Sequence, residues 1–162
     1  MNLKKVNQPM QKLLSNLERS IFSLPKKAEE FLKNGFRQVE SGIFFESQFK
    51  ENSLPSADFI KNAYADISGY EFSVNKLHLE DYCDSHCLEV GLLFIDEFVR
   101  TWKSQCFDDA IVLLSYYESE DLGEICTFQF HKKRETELVV DFDGIEDFSN
   151  PVLVLDTSFL AK

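Results

Sequence analysis

At Asp108-Asp109 the spacing of apolar residues changes, and that change constrains the fold more than any other feature of the chain. Just upstream, apolar residues recur every three or four positions; downstream they alternate, so a long helix gives way to strands. Over residues 85–105 a helical stripe holds Cys87, Gly91, Phe94, Ile95, Phe98 and Trp102 and is widened by Val90, Leu92 and Leu93. Glu89, Asp96, Arg100 and Lys103 fall on the other side, which predicts a long central helix with one wet face. Four strand-like runs follow. Residues 110–117 are apolar on both faces, and 124–131 put Cys126, Phe128 and Phe130 on one side. Leu138, Val140 and Phe142 alternate with Glu137 and Asp141, and 152–155 close the series. Regular spacing with polar turns predicts an antiparallel β-meander.

Residues 1–35 read as helical. Pro9, Met10, Leu13, Leu14, Leu17 and Ile21 fit one amphipathic helix, and Pro25 announces a second that stops at Asn34-Gly35. Val39, Ile43, Phe44 and Phe45 suggest extended chain around a turn at Ser41-Gly42. Phe59, Ile60, Ala63, Tyr64 and Ile67 predict a helix stopped by Ser68-Gly69, and residues 70–79 a strand. The expected fold class is α+β, with N-terminal helices and the long helix packed on the C-terminal meander. At 162 residues one core suffices, so a single domain, 1–162, is expected. It divides into a basic helical segment (1–35), a mixed stretch (36–107) and an acidic β-meander (108–162). Sixteen phenylalanines need burial in that core or cover from a partner.

Charge is divided along the chain. Residues 1–38 carry eight Lys/Arg against three acids; the other 124 carry nine against 25, a net of −16. Such a body repels phosphate backbones and attracts cationic partners, which argues against direct nucleic-acid binding. No apolar run spans a membrane, and Lys4-Lys5 lead into Asn, Gln and Pro rather than a signal sequence, so a cytoplasmic location is expected. The four cysteines then read as reduced thiols.

Catalytic signatures are missing from the sequence. The six glycines are scattered singly, with neither a phosphate loop nor a dinucleotide fingerprint, and no nucleophile elbow accompanies the three histidines. His78, Cys83, His86 and Cys87 place four soft ligands within ten residues, but only Cys83 and Cys87 have a metal-like spacing. No metal and no cofactor are expected. Asp141-Phe142-Asp143-Gly144 has its glycine too early for a calcium hand and reads as a turn. The candidate contact residues are Tyr116, Tyr117, Glu118, Glu120 and Asp121 in one acidic segment, and Asp141, Asp143, Glu146 and Asp147 in another. Carboxylates beside aromatic rings suit a basic protein surface.

In size, charge and these two segments the chain resembles the immunity proteins of bacterial contact-dependent growth inhibition systems. The resemblance implies stoichiometric neutralisation of a cognate toxin domain, typically a basic nuclease, and no enzymatic activity of the chain itself. Two other readings stay open: a regulatory or adaptor protein using the basic N-terminal helices, and a metal- or thiol-dependent enzyme using the Cys/His cluster.

Overall fold

The structure, a computed structural model, describes residues 4–106 and 108–160. Among them are five α-helices, a five-stranded antiparallel sheet and a two-stranded sheet, a mixed α+β architecture.

After β1 (Lys4–Val6), the Asn7 side chain caps α1 (Gln8–Ser15) by accepting the Met10 amide at 3.1 Å, with Pro9 in the first turn. The predicted helix was to reach Ile21; it ends at Ser15. Residues 16–25 run instead as irregular chain, because the Glu89 carboxylate takes the amides of Ser20 (2.9 Å) and Ile21 (3.0 Å) and the Ser20 hydroxyl (2.6 Å). Glu89 is therefore buried, not on a wet face as its spacing predicted. Helix α2 (Lys26–Lys33) ends at Gly35, whose φ of +74° favours glycine. The hairpin of β2 (Phe36–Val39) and β3 (Gly42–Phe45) turns at Glu40 and Ser41.

Ser56 caps α3 (Ala57–Tyr64), which ends at Ala65 with φ 70°. Asp66 then caps a new helix, α4 (Ile67–Val74), by accepting the Gly69 amide at 2.7 Å. A side chain at Gly69 would strike the Tyr64 carbonyl, so this glycine sits inside a tight helix corner instead of stopping a helix. The strand predicted over 70–79 is thus helical through Val74, and only β4 (Leu77–His78) is extended. Beside Tyr70, the buried side chains of α4 are Ser68 and Glu71, followed by the buried cap Asn75; these three are polar, so apolar periodicity gave little sign of a helix.

A 3₁₀ turn (Leu79–Tyr82) leads to α5 (Cys87–Gln105). Then come β5 (Ala110–Ser119), β6 (Gly123–Lys132) and β7 (Val152–Asp156). The sheet order is β1-β7-β5-β6-β4. This replaces the predicted four-strand meander: β7 returns to the far side of β5, and Leu138, Val140 and Phe142 form no strand. The reason lies in β5, which is apolar on both faces. Val112, Leu114 and Tyr116 face the main core with α5, while Ile111 and Leu113 need a second cover. Val140 and Ile145 supply it, together with Val152 and Val154 of β7.

The main core is aromatic. Phe98 lies with its ring centroid 4.9 Å from Phe130, 5.0 Å from Phe128 and 5.7 Å from Trp102. Helix α5 comes close to the sheet at Gly91, where an added Cβ would lie 2.9 Å from Cys126 Sγ and 3.0 Å from the Leu114 methyls. None of the described helices is long and apolar enough to cross a membrane.

Candidate functional site

The β5–β6 hairpin projects an acidic tip. Its register sets Glu118 opposite Glu124 and Ser119 opposite Gly123, leaving Glu120, Asp121 and Leu122 as the turn. Ser119 Oγ accepts the amides of Asp121 and Leu122 at 3.2 Å each, and Gly123 takes φ +72°. Between Lys103 and Lys132 there is no Lys or Arg. Among the described residues none of Glu118, Glu120, Asp121 and Glu124 enters an ion pair. Like charges directly across a ladder weaken a sheet, so the Glu118–Glu124 pair opposes folding.

The two tyrosines differ. Tyr117, opposite Ile125, is 48% exposed, and Leu122 in the turn is exposed too. Tyr116, expected as a contact residue, is buried in the main core. Its position on the inward face of β5 decides this, and its hydroxyl donates to Glu124 Oε1 at 3.0 Å. Burial, then the Glu124 carboxylate, push its phenol well above the usual range. Tyr116 orients a tip carboxylate and offers no ring to a partner.

The structure adds carboxylates that the sequence kept apart. Beyond β4, Glu80 Oε2 accepts the Cys126 amide at 3.0 Å, so a side chain continues the ladder where the strand has ended. That lays residues 79–84 along β6 toward the tip. Glu124, Glu80 and Asp84 all raise the Cys83 thiol, behind burial as the main cause. One acidic rim is thus assembled from two segments about forty residues apart, with no local sequence signal to connect them.

The Cys/His cluster separates in space. His78 Nδ1 lies 3.1 Å from Glu80 Oε1, whereas His86, at φ 59° before α5, turns its Nδ1 to Ser20 Oγ at 3.1 Å. Only the thiols meet: Cys83 Sγ is 2.9 Å from Cys87 Sγ and 3.2 Å from the Leu79 carbonyl. Among the described residues no group of three His, Cys, Asp or Glu could hold a metal ion.

The four carboxylates of the second acidic segment are exposed, but three of them make contacts within the molecule. Asp141 Oδ1 accepts the Asp143 amide (3.0 Å), Asp143 pairs with Lys5 (3.0 Å), and the Gln8 amide donates to both oxygens of Glu146 (3.1 Å). Asp147 is exposed. These contacts hold 141–147 at the β1 edge, while the hairpin tip is flanked from the β4 edge.

A family profile described as the uncharacterized protein PM0498 family matches residues 5–161. The chain belongs to that family. A curated relative, the uncharacterized protein PM0498 of Pasteurella multocida (strain Pm70), is 30% identical over 155 residues, spanning 92% of this chain and 96% of its own. No solved structure matches the chain. In this PM0498-family chain the hairpin tip carries Glu118, Glu120 and Asp121, which enter no ion pair among the described residues.

Proposed function

We propose that this protein is a cytoplasmic binding protein of the immunity type, which neutralises a cognate toxin domain stoichiometrically and without turnover. Its partner is a basic protein, a nuclease whose cationic substrate surface the carboxylates of the hairpin tip occupy in place of phosphates. The reading is carried by one observation: Glu118 faces Glu124 across the hairpin, and among the described residues neither enters an ion pair. Carboxylates that weaken the free protein gain a favourable setting once a cationic surface covers them. Exposed Tyr117 and Leu122 add an apolar centre to that contact. In this reading the long helix Cys87–Gln105 is the central support behind a C-terminal sheet whose tip does the binding. Of the residues first singled out, Tyr117, Glu118, Glu120 and Asp121 make the contact, and Asp147 lies outside it.

Capture on the immobilised full chain, followed by co-expression of the captured protein, tests this. The captured protein should be cationic and should arrest growth when expressed alone, with growth restored by this chain. Reversing Glu118, Glu120 and Asp121 to Lys should abolish both capture and protection, whereas Asp147→Lys should leave them intact. Capture and protection that survive the triple reversal would overturn the reading.

A further inference from the structure

The closest approach of reactive groups on this surface is Cys83 to Cys87. Their sulfurs, both reduced, are 2.9 Å apart, less than an ångström beyond bonded distance. Cys83 ends the turn Leu79–Tyr82 in extended conformation and Cys87 opens α5. The intervening Asp84-Ser85-His86 closes on itself through the left-handed φ of 59° at His86. Helix and turn therefore hold the pair together without help from a distant contact. The two thiols differ in access: Cys83 is half-buried and Cys87 is buried at 3% exposure. Cys126 is fully buried, and Cys106 lies beyond the far end of α5.

We propose that Cys83 and Cys87 are a thiol–disulfide exchange site that small cationic disulfides oxidise to an intramolecular disulfide. Cys83, as thiolate, attacks one sulfur of R–S–S–R; the S–S bond breaks and R–S⁻ leaves, taking up the proton that Cys83 gave to solvent. Cys87 then loses its own proton and attacks the Cys83 sulfur of the mixed disulfide, expelling the second R–S⁻, which is protonated in turn. The protein loses two protons and two electrons, and one disulfide becomes two thiols. Cys83 attacks first because it is the accessible member.

The preference for cations follows from the rim. Glu80 is held on the Cys126 amide one residue along from Leu79, whose carbonyl Cys83 Sγ touches; Asp84 adjoins Cys83 in the chain, and Glu124 also acts on the sulfur. An anionic disulfide is therefore repelled from it and a dication is drawn in. Burial also raises both thiols, which makes exchange faster as pH rises above neutral. None of this depends on partner binding, so either reading stands if the other fails.

The test treats the full chain, as wild type and as Cys83→Ser, with cystamine (a dication) or oxidised glutathione (an anion). Acid quench, denaturation and alkylation of the remaining thiols follow. Residues 77–100 form one tryptic peptide holding Cys83 and Cys87 and no other cysteine. With cystamine that peptide should become unlabelled and two hydrogens lighter, roughly tenfold faster than with glutathione at low salt. Added salt should narrow the ratio, and so should Asp84→Asn with Glu124→Gln. Cys83→Ser should slow modification of Cys87 by at least the same factor. A peptide that stays doubly alkylated, a stable Cys83 adduct beside an alkylated Cys87, or equal rates with the two disulfides at low salt would overturn the proposal.

Discussion

Arg134 forks onto both oxygens of Glu71, Nη1 to Oε2 at 2.9 Å and Nη2 to Oε1 at 2.8 Å, in a site where the carboxylate is wholly buried. The same oxygens accept the amides of Ile43 and Lys132, each at 2.8 Å. Glu71 thus joins β3 to β6 from a helix. Asn75, one turn on, repeats the device: its Oδ1 accepts the Phe45 amide at 3.0 Å and its Nδ2 donates to the Ile43 carbonyl at 2.9 Å. The two-stranded sheet is fastened to the five-stranded one by side chains that imitate a strand. Ser68 lies in the same network, donating to Glu137 and accepting from Arg134 Nη1 at 2.9 Å.

Removing one partner of such a pair strands a buried charge. Arg134→Met should destabilise the protein by about 3–5 kcal/mol in urea unfolding. Adding Glu71→Gln to Arg134→Met should cost less than the two single losses combined, because the stranded charge is gone. Additive losses would show that the fork carries no coupling.

Phe98 tests the aromatic core. It is fully buried among Trp102, Phe128 and Phe130. Phe98→Ala should cost about 3–5 kcal/mol, since the removed ring leaves a cavity that its neighbours cannot fill. Phe22, 75% exposed, is the control, and Phe22→Ala should change stability by no more than about 0.5 kcal/mol. Equal unfolding midpoints for the two variants would contradict this core.

These residues also mark where the sequence was readable. Strand β6 was legible because Cys126, Phe128 and Phe130 alternate with polar neighbours and all three are buried. Helix α4 was not, because beside Tyr70 its buried side chains are Ser68 and Glu71, with Asn75 at its cap, and polar groups buried against polar partners leave no hydrophobic pattern. Leu138, Val140 and Phe142 alternate as a strand would, yet only Val140 and Phe142 pack over Ile111 and Leu113, and Leu138 is exposed. That need could be read from β5, but not which segment would meet it. At the candidate site the acidic tip was legible as a turn. Its link to Glu80 and Asp84 was not, since it arises from the Cys126 amide donating to the Glu80 carboxylate, a bond that no spacing encodes.

Glu89 predicts a local effect. With one carboxylate accepting from Ser20 and Ile21, Glu89→Gln should free residues 16–25 while α5 remains folded. Hydrogen bonds to a charged group contribute about 1.5–3 kcal/mol, so amide exchange at Ile21 should speed at least tenfold. The Ser20 hydroxyl, then the Ile21 amide, hold the Glu89 carboxyl below its ordinary 4.5. A depressed carboxyl stabilises the fold fully above 4.5 and loses that contribution as pH falls through the lowered value. The difference between wild type and Glu89→Gln should therefore vanish in acid; a difference that persists there would point to packing and not to charge.

His131 should set the stability in a higher pH window. Its ring is buried on the outer face of the sheet, Nδ1 donating to the Lys132 carbonyl at 2.7 Å while Nε2 has no partner among the described residues. Burial, the largest influence, lowers its pKa below 6.5; the Lys132 carbonyl, Glu71 and Asp66 oppose that shift and Arg134 adds to it. Between the lowered value and 6.5 the unfolded chain binds a proton that the native protein does not. Stability must then fall as pH is reduced through that interval, by up to about 1.4 kcal/mol per pH unit. His131→Phe keeps an aromatic ring beside Phe72, 6.0 Å away, and the Lys132 carbonyl retains the Arg134 Nη1 donor at 3.2 Å. Its cost at neutral pH should stay within about 0.5–1.5 kcal/mol, the worth of one hydrogen bond. Urea unfolding at steps below pH 7 should show wild type losing stability from 6.5 downward and His131→Phe staying level until the carboxylates begin to titrate. Parallel profiles for the two proteins would mean that His131 takes up its proton in the folded state without penalty.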